Sequence, residues 1–145
     1  MKRAMTWVAA VALFALGAAA GAAGKGRSMA ASELEFKPTP TAGISRAVLW
    51  GNPETGAYGT LVKFAGGTDV GWHTHGNLVR SVIISGTFIT EVKGAPPMEL
   101  GPGSFVEHPG NEKHRTACKA GADCLFFSTQ PGKWDLRPEK TAATP

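Results

Sequence analysis

Four histidines stand close together in the second half of this chain, and their spacing could hold a metal ion. His73 and His75 are separated only by Thr74. On a β-strand, side chains alternate between two faces, so residues two apart share one face. Two imidazoles on one face, a few ångströms apart, can chelate a single ion. A third imidazole from another strand would close a facial site, and His108 and His114 are the candidates. Three nitrogens with open positions beside them suit Lewis-acid work on a small molecule, or oxygen chemistry if the ion is iron.

Placing such side chains requires short strands cut by tight turns, and the chain from Ile44 onward has that pattern. Apolar runs alternate with Gly, Pro and Asn clusters, which predicts an all-β fold. The predicted strands are Ser45–Trp50, Gly59–Ala65, Gly71–His75, Arg80–Ser85, Thr87–Lys93, Ser104–His108, His114–Cys118 and Cys124–Thr129. Eight strands at this spacing point to a sandwich or barrel, with the jelly roll a natural solution. Residues 24–43 form an N-terminal extension in which Pro38 and Pro40 break any helix. The barrel is expected over 44–130, with a loose C-terminal tail at 131–145 whose Trp134 and Leu136 could pack back onto it.

The residues around the histidines carry a further pattern. Gly67, His73, His75 and Gly86 fit one spaced motif, and Gly103, Pro109 and His114 fit a second. In both, the chain resembles the cupin superfamily, and in particular the small cupin domains related to anti-sigma factors. The resemblance implies a cupin jelly-roll β-barrel with His73, His75 and His114 as metal ligands. The cofactor it implies is one divalent ion: iron, zinc, manganese, nickel or copper. It also implies a small-molecule ligand or substrate, and a dioxygenase, isomerase or lyase activity or a non-catalytic binding module. Three positions depart from the motifs. Val79 stands where cupins place a ligating Glu, Asn111 where they place a Gly, and Cys118 where they place an Asn. The fourth ligand is therefore open among water, Glu91 and His108, and the latter two are also the candidates for proton transfer. Asn tolerates left-handed backbone, so the Asn111 change is mild.

Side-chain parity assigns the remaining residues. Ser81, Ile83 and Phe105 are expected to line the interior. Trp72 and Arg80 alternate away from His73, which leaves Arg80 an anion-binding candidate only if a bulge turns it inward. Gly67, Gly86 and Gly103 are read as turn residues.

Residues 1–23 read as a signal peptide. Lys2-Arg3 precedes an apolar run from Met5 to Ala23, with small residues at its end for cleavage. This predicts a secreted or periplasmic protein with no stable membrane anchor. Export places Cys118 and Cys124 in an oxidising compartment, and the turn-like Lys-Ala-Gly-Ala-Asp between them suits a bridged hairpin. The formal charge is +4 over 145 residues, but the bases are scattered and form no stripe, which argues against nucleic acid. Edge strands of a barrel invite pairing, so a homodimer is a further expectation.

Overall fold

The computed structural model describes residues 26–139. The predicted signal peptide and the last six residues lie outside them. Within this span, eleven strands and one short 3-10 turn (Ala31–Glu33) account for the regular structure. No helix among the described residues is long and apolar enough to cross a membrane.

The strands are β1 (Lys37–Pro38), β2 (Ile44–Gly51), β3 (Tyr58–Phe64), β4 (Asp69–Thr74), β5 (Val79–Ser85), β6 (Phe88–Val92), β7 (Met98–Leu100), β8 (Phe105–His108), β9 (His114–Cys118), β10 (Cys124–Gln130) and β11 (Arg137–Pro138). They form two antiparallel sheets, one ordered β1-β2-β3-β10-β5-β8 and the other β11-β4-β9-β6-β7. This is the double-stranded β-helix of a cupin. Each of the eight predicted strands is present, with ends displaced by no more than two residues. The strands not foreseen are β1, β7 and β11, each of two or three residues and too short to show a period.

Apolar residues close one end of the barrel. Phe64, Phe88 and Phe126 meet with ring centroids 5.0–6.0 Å apart and are packed with Ile44 and Ile83. Fully burying such rings contributes roughly 2–3 kcal/mol each. Cys118 and Cys124 form a disulfide inside this cluster, with Cα atoms 5.8 Å apart. Strand β9 therefore runs from His114 at the open end to Cys118 in the core, which anchors the histidine-bearing strand at its far end.

The turns follow the expected chemistry. Gly67, Gly86 and Gly103 all have positive φ, near 80–85°. At Gly86 a Cβ would also stand 2.5 Å from the Asp123 carbonyl oxygen, so both conformation and space require glycine. Asn111 adopts φ 65°, the left-handed conformation that the usual glycine would take.

Two expectations are corrected. Phe105 points out of the barrel and is 58% exposed, while its neighbour Val106 lines the interior. Register fixes this: β8 pairs with β5 so that Val106 lies opposite the inward Ser81, and Phe105 lies opposite the exposed Val82. Residues 131–139 are not loose either. Arg137 and Pro138 pair with Thr74 and His73 on β4, and the Trp134 amide donates to the Pro53 carbonyl at 2.7 Å. Trp134 and Leu136 line the barrel interior, as their apolar character suggested.

Candidate metal centre

Strand β4 delivers the first two histidines. A bulge near Val70 and Gly71 (φ 72°) interrupts its pairing with β9, and the Gly71 amide donates to the Asp69 carboxylate at 2.9 Å. Beyond the bulge His73 lies directly opposite His114 on β9. His75 follows two residues later on the same face. All three rings are buried, and one ring nitrogen of each lies within 4.8 Å of the others.

Each of the three uses its other nitrogen in the same way. Nδ1 of His73 donates to the Gly71 carbonyl at 2.8 Å, and Nδ1 of His114 to the Glu112 carbonyl at 2.9 Å. Nδ1 of His75 donates to the Asp135 carbonyl, from the C-terminal segment. A carbonyl can only accept, so each Nδ1 carries the proton and each Nε2 presents a lone pair. Burial holds all three in this neutral form. It pushes His73 down to about 4 and His114 to about 3, and it lowers His75. Neutral imidazoles with Nδ1 fixed to a carbonyl are the donor set that a divalent ion takes. A second group, His108, Glu112 and His114, also comes within ligating distance. There His108 and Glu112 bond to each other, which makes the three-histidine set the better fit.

The other sequence-derived candidates fall elsewhere. Glu91 lies on the outer face of β6, opposite Arg115, whose guanidinium is 3.6 Å from its carboxylate. Inward positions on that strand belong to Thr90, so Glu91 neither reaches the histidines nor serves them as a proton carrier. Arg80 is exposed and bonded to Glu107 at 2.7 Å, and no bulge turns it in. His108 is inside and 4% exposed. Its Nδ1 meets the Glu112 carboxylate at 2.9 Å and its Nε2 meets the Thr90 hydroxyl at 3.0 Å. Its ring stacks on His114 with centroids 3.7 Å apart. With both nitrogens engaged, His108 packs beside the centre and does not point into it as a fourth donor. Val79, directly opposite His108, adds only an apolar wall.

The histidines open into a cavity of about 100 Å³, roughly the room of a few water molecules or one small organic group. Its far wall is polar in places that sequence reading passed over. Thr60, Ser128 and Ser81 form a row across β3, β10 and β5, with the two serine hydroxyls 3.1 Å apart. Above them Tyr58 and Gln130 stand opposite each other. Arg46 also lines the cavity, although it could have been suspected from its even spacing with Ile44 on β2. Glu112 and Asp135 also escape sequence reading, since each holds one of the three histidines through its backbone carbonyl, which carries no side-chain signature.

Comparison with known proteins agrees with this architecture. The model of the ChrR cupin-like domain matches residues 25–132, and the chain belongs to that family. The polyketide cyclase RemF of Streptomyces resistomycificus superposes with a TM-score of 0.70 at 14% identity, covering 82% of this chain and 89% of the cyclase. A structure from a report on the DMSP lyases RdDddP and RnDddQII gives 0.61 at 22% identity over 74% of this chain. The match spans only 63% of that lyase chain. The anti-sigma protein ChrR of Rhodobacter sphaeroides, in complex with SigE, gives 0.56 at 22% identity, over 70% of this chain and 50% of the other. At these identities the likeness is one of fold. No curated protein matches the chain.

Proposed function

We propose that this chain is an exported, metal-dependent enzyme that acts on a small molecule inside its barrel, by chemistry of the isomerase, lyase or dioxygenase kind. The observation that carries the reading is the common arrangement of His73, His75 and His114: buried, neutral, and each tied through Nδ1 to a carbonyl. A divalent ion bound there would supply Lewis acidity, or oxygen activation if it is iron. The barrel's own residues would exclude water and orient the ligand. His108, which lines the cavity beside the centre, would pass protons by way of the Thr90 hydroxyl: the Glu112 carboxylate accepts from Nδ1, which leaves Nε2 to accept from that hydroxyl. The Cys118–Cys124 disulfide supports export, because such bonds persist in oxidising compartments. Neighbours named as lyase and cyclase support small-molecule chemistry on this scaffold.

A non-catalytic capture module is the second reading, and Val79 favours it, since an apolar side chain replaces the usual carboxylate. Elemental analysis of protein exported by its own leader, beside His73→Ala, tests the centre. One equivalent of metal, lost in the variant, is the expected result, and a metal-free parent after supplementation would overturn it. Turnover of small carboxylic acids, enols and phenols by the loaded protein then separates enzyme from capture module, with His108→Gln expected to keep its metal and lose turnover.

A further inference from the structure

We propose that the wall facing the histidines is a carboxylate-binding subsite made by Arg46, Gln130 and Tyr58, so that the molecule taken into the barrel is a small hydroxy acid or its enol form. This rests on reading the barrel as a small-molecule site and names the class of molecule it takes.

The two buried side-chain polar atoms without a partner among the described residues are Nη1 of Arg46 and Oε1 of Gln130. Both residues line the same cavity as His73, His75 and His114. Gln130 is 5% exposed, and Tyr58, 2% exposed, stands directly opposite it in the β3–β10 register. A buried donor on a cation and a buried carbonyl oxygen left unmade are each costly, and a ligand that answers both offsets that cost. The donor calls for an anion and the acceptor for a hydroxyl. A hydroxy acid offers the two on adjacent carbons.

The guanidinium is held for this task. Trp134 lies under it, 5.2 Å from Cζ to the ring centroid, and Glu54 takes Nη2 at 3.0 Å. Glu54 is largely in solvent and leaves Nη1 free. Other nearby carboxylates are engaged elsewhere. Asp135 accepts from the Gly76 amide and pairs with Arg137, and Glu112 pairs with His108. No carboxylate follows the first histidine pair, because Val79 stands there, so an ion held by three neutral imidazoles keeps its full positive charge. An anionic ligand would meet cationic groups on both sides of the cavity.

Glycolate is the probe, with neutral glycolamide as its control. The side-chain nitrogen signals of Arg46 are followed by NMR, and affinity by calorimetry, in metal-free and zinc-loaded protein. Glycolate is expected to shift the Arg46 signals in both forms. Arg46→Met is expected to weaken glycolate at least tenfold, with glycolamide binding and zinc stoichiometry unchanged. Arg46 signals that stay still at saturating glycolate would overturn the subsite, as would Arg46→Met binding glycolate like the parent. Should that variant fail to fold, the parent's signals decide alone. A parent that takes no zinc yet shows the glycolate shift would remove the metal reading and leave the subsite standing. Zinc bound with a silent Arg46 would do the reverse.

Discussion

The barrel's two inner walls treat buried polarity in opposite ways. On the wall of β4 and β9, His73, His75 and His114 each have the Nδ1 N–H matched to a backbone carbonyl, and their Nε2 lone pairs face inward. On the wall of β2, β3 and β10, a guanidinium nitrogen and an amide oxygen are buried with no partner among the described residues. The first wall is finished by the protein and presents a donor set that could hold a cation. The second is left with unpartnered atoms, which on the proposed reading an anion with a hydroxyl would answer. Backbone carbonyls are rigid acceptors and fix geometry to the tolerance an ion needs, whereas long side chains such as Arg46 leave slack for an organic ligand.

Mutation of the first wall should have the largest effect. His114→Ala is expected to abolish stoichiometric metal binding, read by elemental analysis, while Arg46→Met keeps it. Metal retained in full by His114→Ala would end the division between the walls.

Acid should attack the same wall before the other. His73 and His114 have folded-state values near 4 and 3, below the ordinary 6.5. Between those values the unfolded chain binds more protons than the native one, so stability is complete above pH 6.5 and falls as the pH drops toward 4 and 3. Metal-free protein is expected to lose several kcal/mol over that window, measured by urea denaturation. A flat profile would mean that the imidazoles are solvated.

The histidine wall was also the more legible in the sequence. Parity placed His73 and His75 on one face, and glycine spacing placed the turns that bring His114 across from them. The second wall was not. Arg46 shares the inward parity of Ile44, but nothing local marks it as a charged residue with an unpartnered nitrogen. Counting odd residues inward from His73 puts Phe105 in the interior, but pairing with β5 sets the opposite parity for β8. The C-terminal segment showed no period because it is held by loop contacts and not by a strand of useful length. Asn77 donates to the Lys133 carbonyl at 3.1 Å, and the Glu139 amide to Trp72 at 2.8 Å.

Two features that support the histidines come next in size. Cys118→Ser removes the bridge at the buried end of β9 and is expected to lower stability by roughly 2–3 kcal/mol, read as a fall in melting temperature under oxidising conditions. Unchanged melting would show that packing alone anchors β9. Asp135→Ala unties the C-terminal segment from the Gly76 amide, and with it the carbonyl that orients His75. Metal affinity is expected to fall about tenfold, the usual scale for losing a group that orients a ligand. Unaltered affinity would make that segment a cover and not part of the centre.

The smallest effect belongs to Glu91. Its carboxylate lies on the outer face, partly exposed, against an Arg115 that already holds Asp69. Surface pairs of this kind contribute about 0–1 kcal/mol. Glu91→Ala should therefore leave metal stoichiometry, metal affinity and glycolate binding as they are, with stability within about 0.5 kcal/mol of the parent. Because the strand period is two, any measurable loss of metal would require β6 to slip by one residue, putting Glu91 in the place of Thr90 on the inner face. That outcome would complete the histidine wall with a carboxylate, reduce the positive charge of the centre, and remove the electrostatic reason for an anion on the opposite side.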